Sequence, residues 1–96
     1  MSAFLKKGVR EILAELEHGS KRFSELARRV RVDSGKLSKH TLIRRLLELE
    51  KEGLVLRTVY DSRPPKVVYT IAPEGKKLIQ TIRDLKKRRK RTRTQD

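Results

Sequence analysis

The chain has 96 residues, in which 26 Lys and Arg outnumber 12 Asp and Glu, for a formal net charge of +14. This length allows one domain with a modest hydrophobic core. Because like charges repel one another in a compact state, such an excess predicts a polyanionic partner, either nucleic acid or an anionic membrane surface. Aromatic residues make up 4% of the chain, too few for the base-stacking platforms of single-strand binders, so a duplex is favoured.

Several classes of protein are excluded by what the sequence lacks. It contains no cysteine, so disulfides, cysteine zinc sites and thiol redox sensing are ruled out. The two histidines, His18 and His40, fall on different predicted helices without ligand spacing, and we expect no metal site and no cofactor. No apolar run approaches the ~20 residues of a transmembrane helix, and Met1–Lys7 lacks the apolar stretch of a signal peptide. We therefore expect a cytoplasmic protein that does not associate with membranes.

The first part of the chain predicts two helices. The first runs from about Ala3 to His18, or begins at Gly8, because glycine weakens the early turns. Gly19 is a carboxy-terminal stop signal. The apolar residues of this helix recur at helical spacing: Phe4 or Leu5, Val9, Ile12, Leu13 and Leu16. A shorter second helix is predicted from Phe23 to about Val30.

A third helix is predicted after a turn that spans Arg31 to Lys36 and contains Asp33-Ser34-Gly35. Ser38 is a suitable amino-terminal cap for this helix, which reaches Glu52 and ends at Gly53. Its apolar face consists of Leu42, Leu46 and Leu49, flanked by Ile43. Three helices in about fifty residues indicate a tri-helical core.

Beyond Gly53 the pattern changes to that of a β-hairpin. The segments Leu54 to Tyr60 and Lys66 to Ile71 are rich in Val, Tyr, Leu and Thr. They flank Asp61-Ser62-Arg63-Pro64-Pro65, and the paired prolines belong in the loop because they cannot donate ladder hydrogen bonds.

A fourth helix is predicted from Pro73, because the missing amide hydrogen of proline does no harm at a first helical position. Its apolar stripe consists of Leu78, Ile79, Ile82 and Leu85. From Lys86 to Arg93, seven of eight residues are Lys or Arg. Such a run repels itself, and we expect it to be frayed or disordered at its end. We therefore divide the chain into a domain over residues 1–85 and a basic tail over residues 86–96.

This order of elements is that of a winged helix-turn-helix domain, a mainly α fold (α+β) with four helices and a small β-hairpin wing. A helix about 10–12 Å across fits the ~12 Å major groove of B-form DNA. Outward side chains in the first turns of the third helix suit base contacts: Lys39, His40, Thr41, Arg44 and Arg45. Candidates for phosphate contacts lie at the hairpin tip, at the end of the second helix and in the tail: Arg63, Lys66, Arg28, Arg29, Lys87 and Arg88.

From Phe23 to Leu78 the chain resembles the HxlR-type branch of the MarR-like winged-helix regulators. The resemblance rests on four pieces in order: Arg22-Phe23-Ser24-Glu25-Leu26, Leu46 through Leu49-Glu50 to Gly53-Leu54-Val55, Tyr60 through Pro64-Pro65 to Val68-Tyr69, and Ile71-Ala72-Pro73-Glu74-Gly75. It implies a dimeric transcriptional regulator whose third helix enters the major groove. It also implies that the first and last helices form the dimer interface, for which the candidate residues are Leu5, Val9, Leu78, Ile82 and Leu85.

The sequence departs from this family at three points. The turn before Ser38 is a few residues longer than the family usually has, which puts the presentation of the third helix in doubt. Ala72 stands where the family usually has a capping Thr. Members that sense reactive compounds use cysteine, which this chain lacks, and nothing in the sequence indicates another small-molecule effector.

Each candidate cation also has a structural interpretation. Arg44 and Arg45 can form ion pairs with Glu48 and its neighbours on a solvated helix face. At the end of the second helix, Arg28, Arg29 and Arg31 suit either phosphate contact or the negative end of the helix dipole. The cations of the hairpin and the tail also promote solubility.

Two rival functions stay open beside a sequence-specific DNA-binding regulator. One is an architectural or nucleoid protein that binds DNA through charge, with little sequence preference. The other is an adaptor that docks onto a protein or RNA. No enzyme is expected, because the sequence shows no paired carboxylates, nucleophile–base pattern or glycine-rich phosphate loop.

Overall fold

The computed structural model describes the backbone of residues 6–95 and the side chains of residues 6–85 and of Lys87. Along the chain it contains α1 (Val9–Glu17), α2 (Phe23–Arg29), β1 (Arg31–Val32), β2 (Gly35–Lys36), α3 (Lys39–Lys51), β3 (Val55–Tyr60), β4 (Lys66–Ile71) and α4 (Pro73–Gln95). Four helices with an antiparallel hairpin between α3 and α4 confirm the predicted winged helix-turn-helix fold.

The core lies where the apolar faces of the helices meet. Residues three and four apart in α1 and α3 share one helix face, and those faces are fully buried: Val9, Ile12, Leu13 and Leu16 in α1, and Leu42, Leu46 and Leu49 in α3. Burying one side chain of this kind contributes about 1.5–3 kcal/mol. These helices are therefore held by packing, which leaves their polar faces free for other contacts.

Of the two predicted starts for the first helix, the later one is correct. Residues 6–8 form a turn, and α1 begins at Val9. Gly8 has φ 92°, a left-handed conformation that glycine adopts without a steric penalty. Leu37 packs closely here, since a Cβ at Gly8 would lie 2.8 Å from its Cδ2. The part of the predicted helix before Lys6 lies outside the described residues.

The segment between α2 and α3, predicted as a turn, is a small β-hairpin. Arg31 pairs with Lys36 and Val32 with Gly35 in an antiparallel register. The strands have two residues each, which is too short for an alternating pattern to appear in the sequence. Val30 and Leu37, on either side of the hairpin, are both buried in the core.

The wing is the antiparallel pair β3–β4, in register from Val55 opposite Ile71 to Tyr60 opposite Lys66. Lys21 adds a short bridge at the edge of β4 through two backbone hydrogen bonds with Tyr69, of 3.0 and 2.8 Å. The predicted hairpin is therefore present, with its first strand starting at Val55.

Helix α4 begins at Pro73, as predicted, and continues to Gln95. It thus includes the basic run that the sequence led us to expect as frayed, because Lys and Arg are good helix formers and the run contains neither Gly nor Pro. Near its start Ile79 is buried, and Arg83 forms an ion pair with Glu17 of α1. Arg83 donates a hydrogen bond to the Glu17 carboxylate, and this bond raises the pKa of the Arg83 guanidinium. The predicted domain boundary at residue 85 falls within α4.

Candidate nucleic-acid interface

The amino-terminal end of α3 carries the main cluster of candidate base-contacting residues. Ser38 caps the helix, since its Oγ accepts a hydrogen bond from the Thr41 amide at 3.1 Å. Lys39, His40 and Arg44 are exposed, while the leucine face on the opposite side is buried. The first two turns of α3 therefore present cationic and polar side chains to solvent on a helix fixed by the core.

Arg44 and His40 are placed together by their i,i+4 spacing. Nη2 of Arg44 lies 3.1 Å from Nε2 of His40, a distance at which a neutral imidazole accepts a hydrogen bond from the guanidinium. This contact orients Arg44 and leaves its other donors available. A guanidinium held in this way suits the two acceptors of a guanine edge in the major groove.

Arg45 does not share this exposed face, and its role as a base-contacting residue stays a prediction. Its Nε donates to the Lys7 carbonyl at 2.9 Å, and its Nη1 lies 3.3 Å from Glu48 Oε1. The side chain is 15% exposed. The ion pair between Arg45 and Glu48 forms within α3, and the hydrogen bond from Arg45 to Lys7 connects α3 to the turn before α1.

Glu48 and Thr41 belong to the same internal network. Lys6 donates to Glu48 at 2.6 Å, and this hydrogen bond lowers the pKa of the Glu48 carboxyl. The hydroxyl of Thr41 lies 2.9 Å from Ser38 Oγ, and the residue is half-buried. Thr41 is therefore engaged in the cap of the helix, rather than fully presented like Lys39 and His40.

Two apolar side chains on the outer face of α3 were missed as candidate functional residues. Ile43 is 48% exposed and Leu47 is 59% exposed, although Ile43 was predicted to flank the buried face. The spacing 40, 43, 44, 47 is itself helical and indicates a common face. Apolar side chains can contact the thymine methyl group in the major groove, so Ile43 joins His40 and Arg44 as a candidate.

The wing tip forms a second cationic region. Arg63 and Lys66 are exposed, and Nζ of Lys66 lies 5.9 Å from the centre of the Tyr60 ring. Ser62 Oγ donates to the Pro64 carbonyl at 2.9 Å, which closes the loop. A cavity of about 330 Å³ beside the tip is lined by wing residues 62–67 and by Arg22. Arg22 precedes α2 in the sequence, and only the tertiary fold brings it beside the wing.

The remaining cationic candidates lie away from α3 and the wing tip. Arg28 and Arg29 are exposed in the last turn of α2. Lys87 is exposed on α4, whereas the side chain of Arg88 lies outside the described residues. The structure thus leaves the phosphate contacts assigned to these residues as predictions.

The predicted dimer-interface residues have different environments. Val9 is 0% exposed within its own core, so its side chain has no surface to offer to a second chain, and its assignment is corrected. Leu78 and Ile82 are half-buried, and Leu85 is 54% exposed. Leu5 lies outside the described residues. A groove of about 400 Å³ runs beside Ile82, between α4 and the start of α1.

Two structural findings concern other kinds of site. Among the residues that the structure describes, no group of three or more His, Cys, Asp or Glu is placed to hold a metal ion. Within the same part of the chain, no helix has the length and apolar character needed to cross a membrane.

Comparison with known proteins finds relatives among helix-turn-helix proteins. The model of the HxlR-like helix-turn-helix family matches residues 6–96. The chain is 41% identical over 71 residues to an uncharacterized HTH-type transcriptional regulator of Methanothermobacter thermautotrophicus, covering 74% of this chain and 51% of that protein. It is 40% identical over 67 residues to the uncharacterized HTH-type regulator YtcD of Bacillus subtilis, covering 70% and 50% respectively. It therefore spans about half the length of these curated relatives.

Solved structures of transcriptional regulators have the same fold as this chain. A crystal structure described as a MarR-family transcriptional regulator from Enterococcus faecalis V583 superposes with a TM-score of 0.84 and 33% identity, over 98% of this chain and 82% of that one. The reduced form of the transcriptional regulator YodB from Bacillus subtilis gives a TM-score of 0.75 and 30% identity, over 88% and 79% of the two chains. The chain belongs to the HxlR-like helix-turn-helix family.

Proposed function

We propose that the chain binds double-stranded DNA in a sequence-specific manner and regulates transcription, with α3 in the major groove. The observation that carries this proposal is the two-sided character of α3. Its inner leucines are fully buried, whereas Lys39, His40, Ile43 and Arg44 are exposed on the first two turns. The relatives, which are described as HTH-type transcriptional regulators, support the same function.

The division of labour within the interface follows from side-chain chemistry. Arg44 contacts base edges, and Ile43 contacts a thymine methyl group. Arg63, Lys66 and Arg22 hold backbone phosphates beside the wing, where three cations surround one cavity. Charge brings the protein to any duplex, and the face of α3 selects the sequence.

The experiment that tests this function is selection of bound duplexes from a random-sequence pool at two salt concentrations. We expect enrichment of a motif that survives the higher salt concentration. In binding assays on that motif, Arg44→Ala should weaken binding by about 1–3 kcal/mol and relax the preference at one position. Lys51→Ala is the matched control, because Lys51 is an exposed cation at the opposite end of α3. Binding without enrichment would instead support an architectural protein.

We further propose that the chain acts as a homodimer through α4. The half-buried Ile82 and the exposed Leu85 continue a stripe whose earlier member, Ile79, is buried in the core. A symmetric pair of these helices would cover both copies of the stripe. Two α3 helices placed one DNA turn apart, ~34 Å, would then contact the half-sites of a two-fold symmetric sequence.

Mass measurement in solution tests the dimer. We expect the unmodified chain to have twice the monomer mass. The Leu85→Asp variant should have the mass of a monomer. Leu56→Asp is the control, since Leu56 is similarly exposed, at 52%, but lies on the wing. A monomeric mass for the unmodified chain at all concentrations would rule out the homodimer.

A further inference from the structure

The short hairpin β1–β2 contains an unfavourable pairing of charges. Arg31 and Lys36 are direct cross-strand partners, and both are exposed. Like charges directly opposite each other in an antiparallel pair destabilise it. Within the described residues, neither side chain forms an ion pair or a side-chain hydrogen bond that would offset this repulsion.

The core fixes which way these two cations point. Successive side chains of a strand face opposite sides, and the flanking Val30 and Leu37 are buried, while Val32 packs against the core. Arg31 and Lys36 therefore point together away from the core. Asp33, in the hairpin loop, instead lines the groove that contains Lys7 and Arg10 of the α1 region.

The hairpin also lies directly beside the proposed DNA-contacting helix. Lys36 ends β2, and α3 begins at Lys39. Three residues of extended chain span at most about 10–11 Å, and the major groove that would receive α3 is ~12 Å wide and bordered by phosphates. With the first turn of α3 in the groove, the paired cations would lie within reach of the phosphate backbone at its edge.

We propose that Arg31 and Lys36 clamp one backbone phosphate beside the groove that α3 occupies. The inference rests on the proposed function and adds a contact that none of the candidate base or wing residues supplies. A phosphate between the two cations converts a repulsive pair into two charge-assisted contacts. The cost of the like-charge pair in the free protein is thus recovered on DNA, and the contact is indifferent to base sequence.

The salt dependence of binding tests the clamp. The double variant Arg31→Gln, Lys36→Gln and the unmodified chain are titrated onto the same duplex, by fluorescence anisotropy, at several salt concentrations between 50 and 200 mM. Loss of one phosphate contact should make the plot of log affinity against log salt concentration less steep by about 0.9. Over that fourfold salt range, the affinity ratio between the two proteins should change about 3.5-fold.

A matched control separates a local contact from net charge. The double variant Lys51→Gln, Lys76→Gln also removes two exposed cations, at the carboxyl end of α3 and near the start of α4. We expect this variant to keep the slope of the unmodified chain. Equal slopes of log affinity against log salt concentration for both double variants would overturn the clamp. The proposed function would still stand in that case if the unmodified chain showed a sequence preference.

If the unmodified chain binds no duplex, the proposed function and the clamp both fail. Thermal unfolding without DNA monitors folding: the clamp variant should melt at or above the temperature of the unmodified chain, because the substitution removes a repulsive pair. A lower melting temperature would contradict the charge-repulsion argument on which the clamp rests.

Discussion

Two hairpins flank α3, and they are attached to the core in different ways. The wing β3–β4 has six-residue strands and is anchored at its base, where Val55 and Ile71 are buried. The hairpin β1–β2 has two-residue strands, and the core holds it from both sides through Val30 and Leu37.

This difference indicates what each hairpin can contribute to an interface. Five residue steps of strand place the wing tip about 17 Å from its buried base. A small rotation at the base therefore displaces Arg63 and Lys66 more than residues close to the core. Arg31 and Lys36 instead lie one residue from buried side chains. The short hairpin therefore holds its cations in a fixed place relative to α3, whereas the wing extends the reach of the domain.

The largest expected effect concerns the anchor of the short hairpin. Leu37→Ala should lower the free energy of unfolding by about 2–5 kcal/mol, because it leaves a cavity in the core. Leu37 also packs against Gly8, so the substitution loosens the start of α1. Urea unfolding followed by circular dichroism provides the measurement.

The wing supplies the contrast to Leu37. Val59→Ala, at a strand position that is 55% exposed, should change stability by less than about 0.5 kcal/mol. Equal losses for the two variants would show that the hairpins are anchored alike and would remove the basis of the comparison.

A smaller effect is expected at the turn of the short hairpin. Gly35 has φ 114°, and nothing lies within 4 Å of a Cβ added there. Gly35→Ala should therefore cost about 1–3 kcal/mol from backbone strain alone, without any steric clash. The same unfolding assay measures this loss. Ser34→Ala, at the preceding turn residue with negative φ, is the control and should be nearly neutral. A neutral Gly35→Ala would mean that the hairpin adopts another turn.

The sequence predicts the longer of these hairpins better than the shorter one. The strands of the wing are six residues long and rich in β-branched residues, and paired prolines mark its loop, so its position was predicted to within one residue. Two-residue strands have no detectable period. The hairpin β1–β2 was consequently recognised only as a turn that is longer than expected.

The candidate site shows the same limit. The exposed positions of Lys39, His40 and Arg44 follow from helical periodicity, which a sequence displays directly. The environment of Arg45 depends on the carbonyl of Lys7, 38 residues away. No local pattern contains such a contact, and none places Arg22 beside the wing.

The smallest expected effect is a pH dependence at the helix that leads into the short hairpin. Glu25 accepts a hydrogen bond from the Arg22 amide at 2.9 Å, and this bond lowers the pKa of the Glu25 carboxyl from its ordinary value of 4.5. A lowered pKa in the folded state stabilises the protein fully above the unfolded value, and this contribution is lost as pH falls through the folded value.

Glu25→Gln keeps a side-chain acceptor for the cap and removes the charge. The urea midpoint should therefore fall less for this variant than for the unmodified chain between pH 6 and pH 3, although both fall because other carboxylates titrate. Parallel midpoint curves would place the acid sensitivity of the fold elsewhere, for which the Lys6–Glu48 pair beside α3 is the next candidate, since the pKa of Glu48 is lowered too.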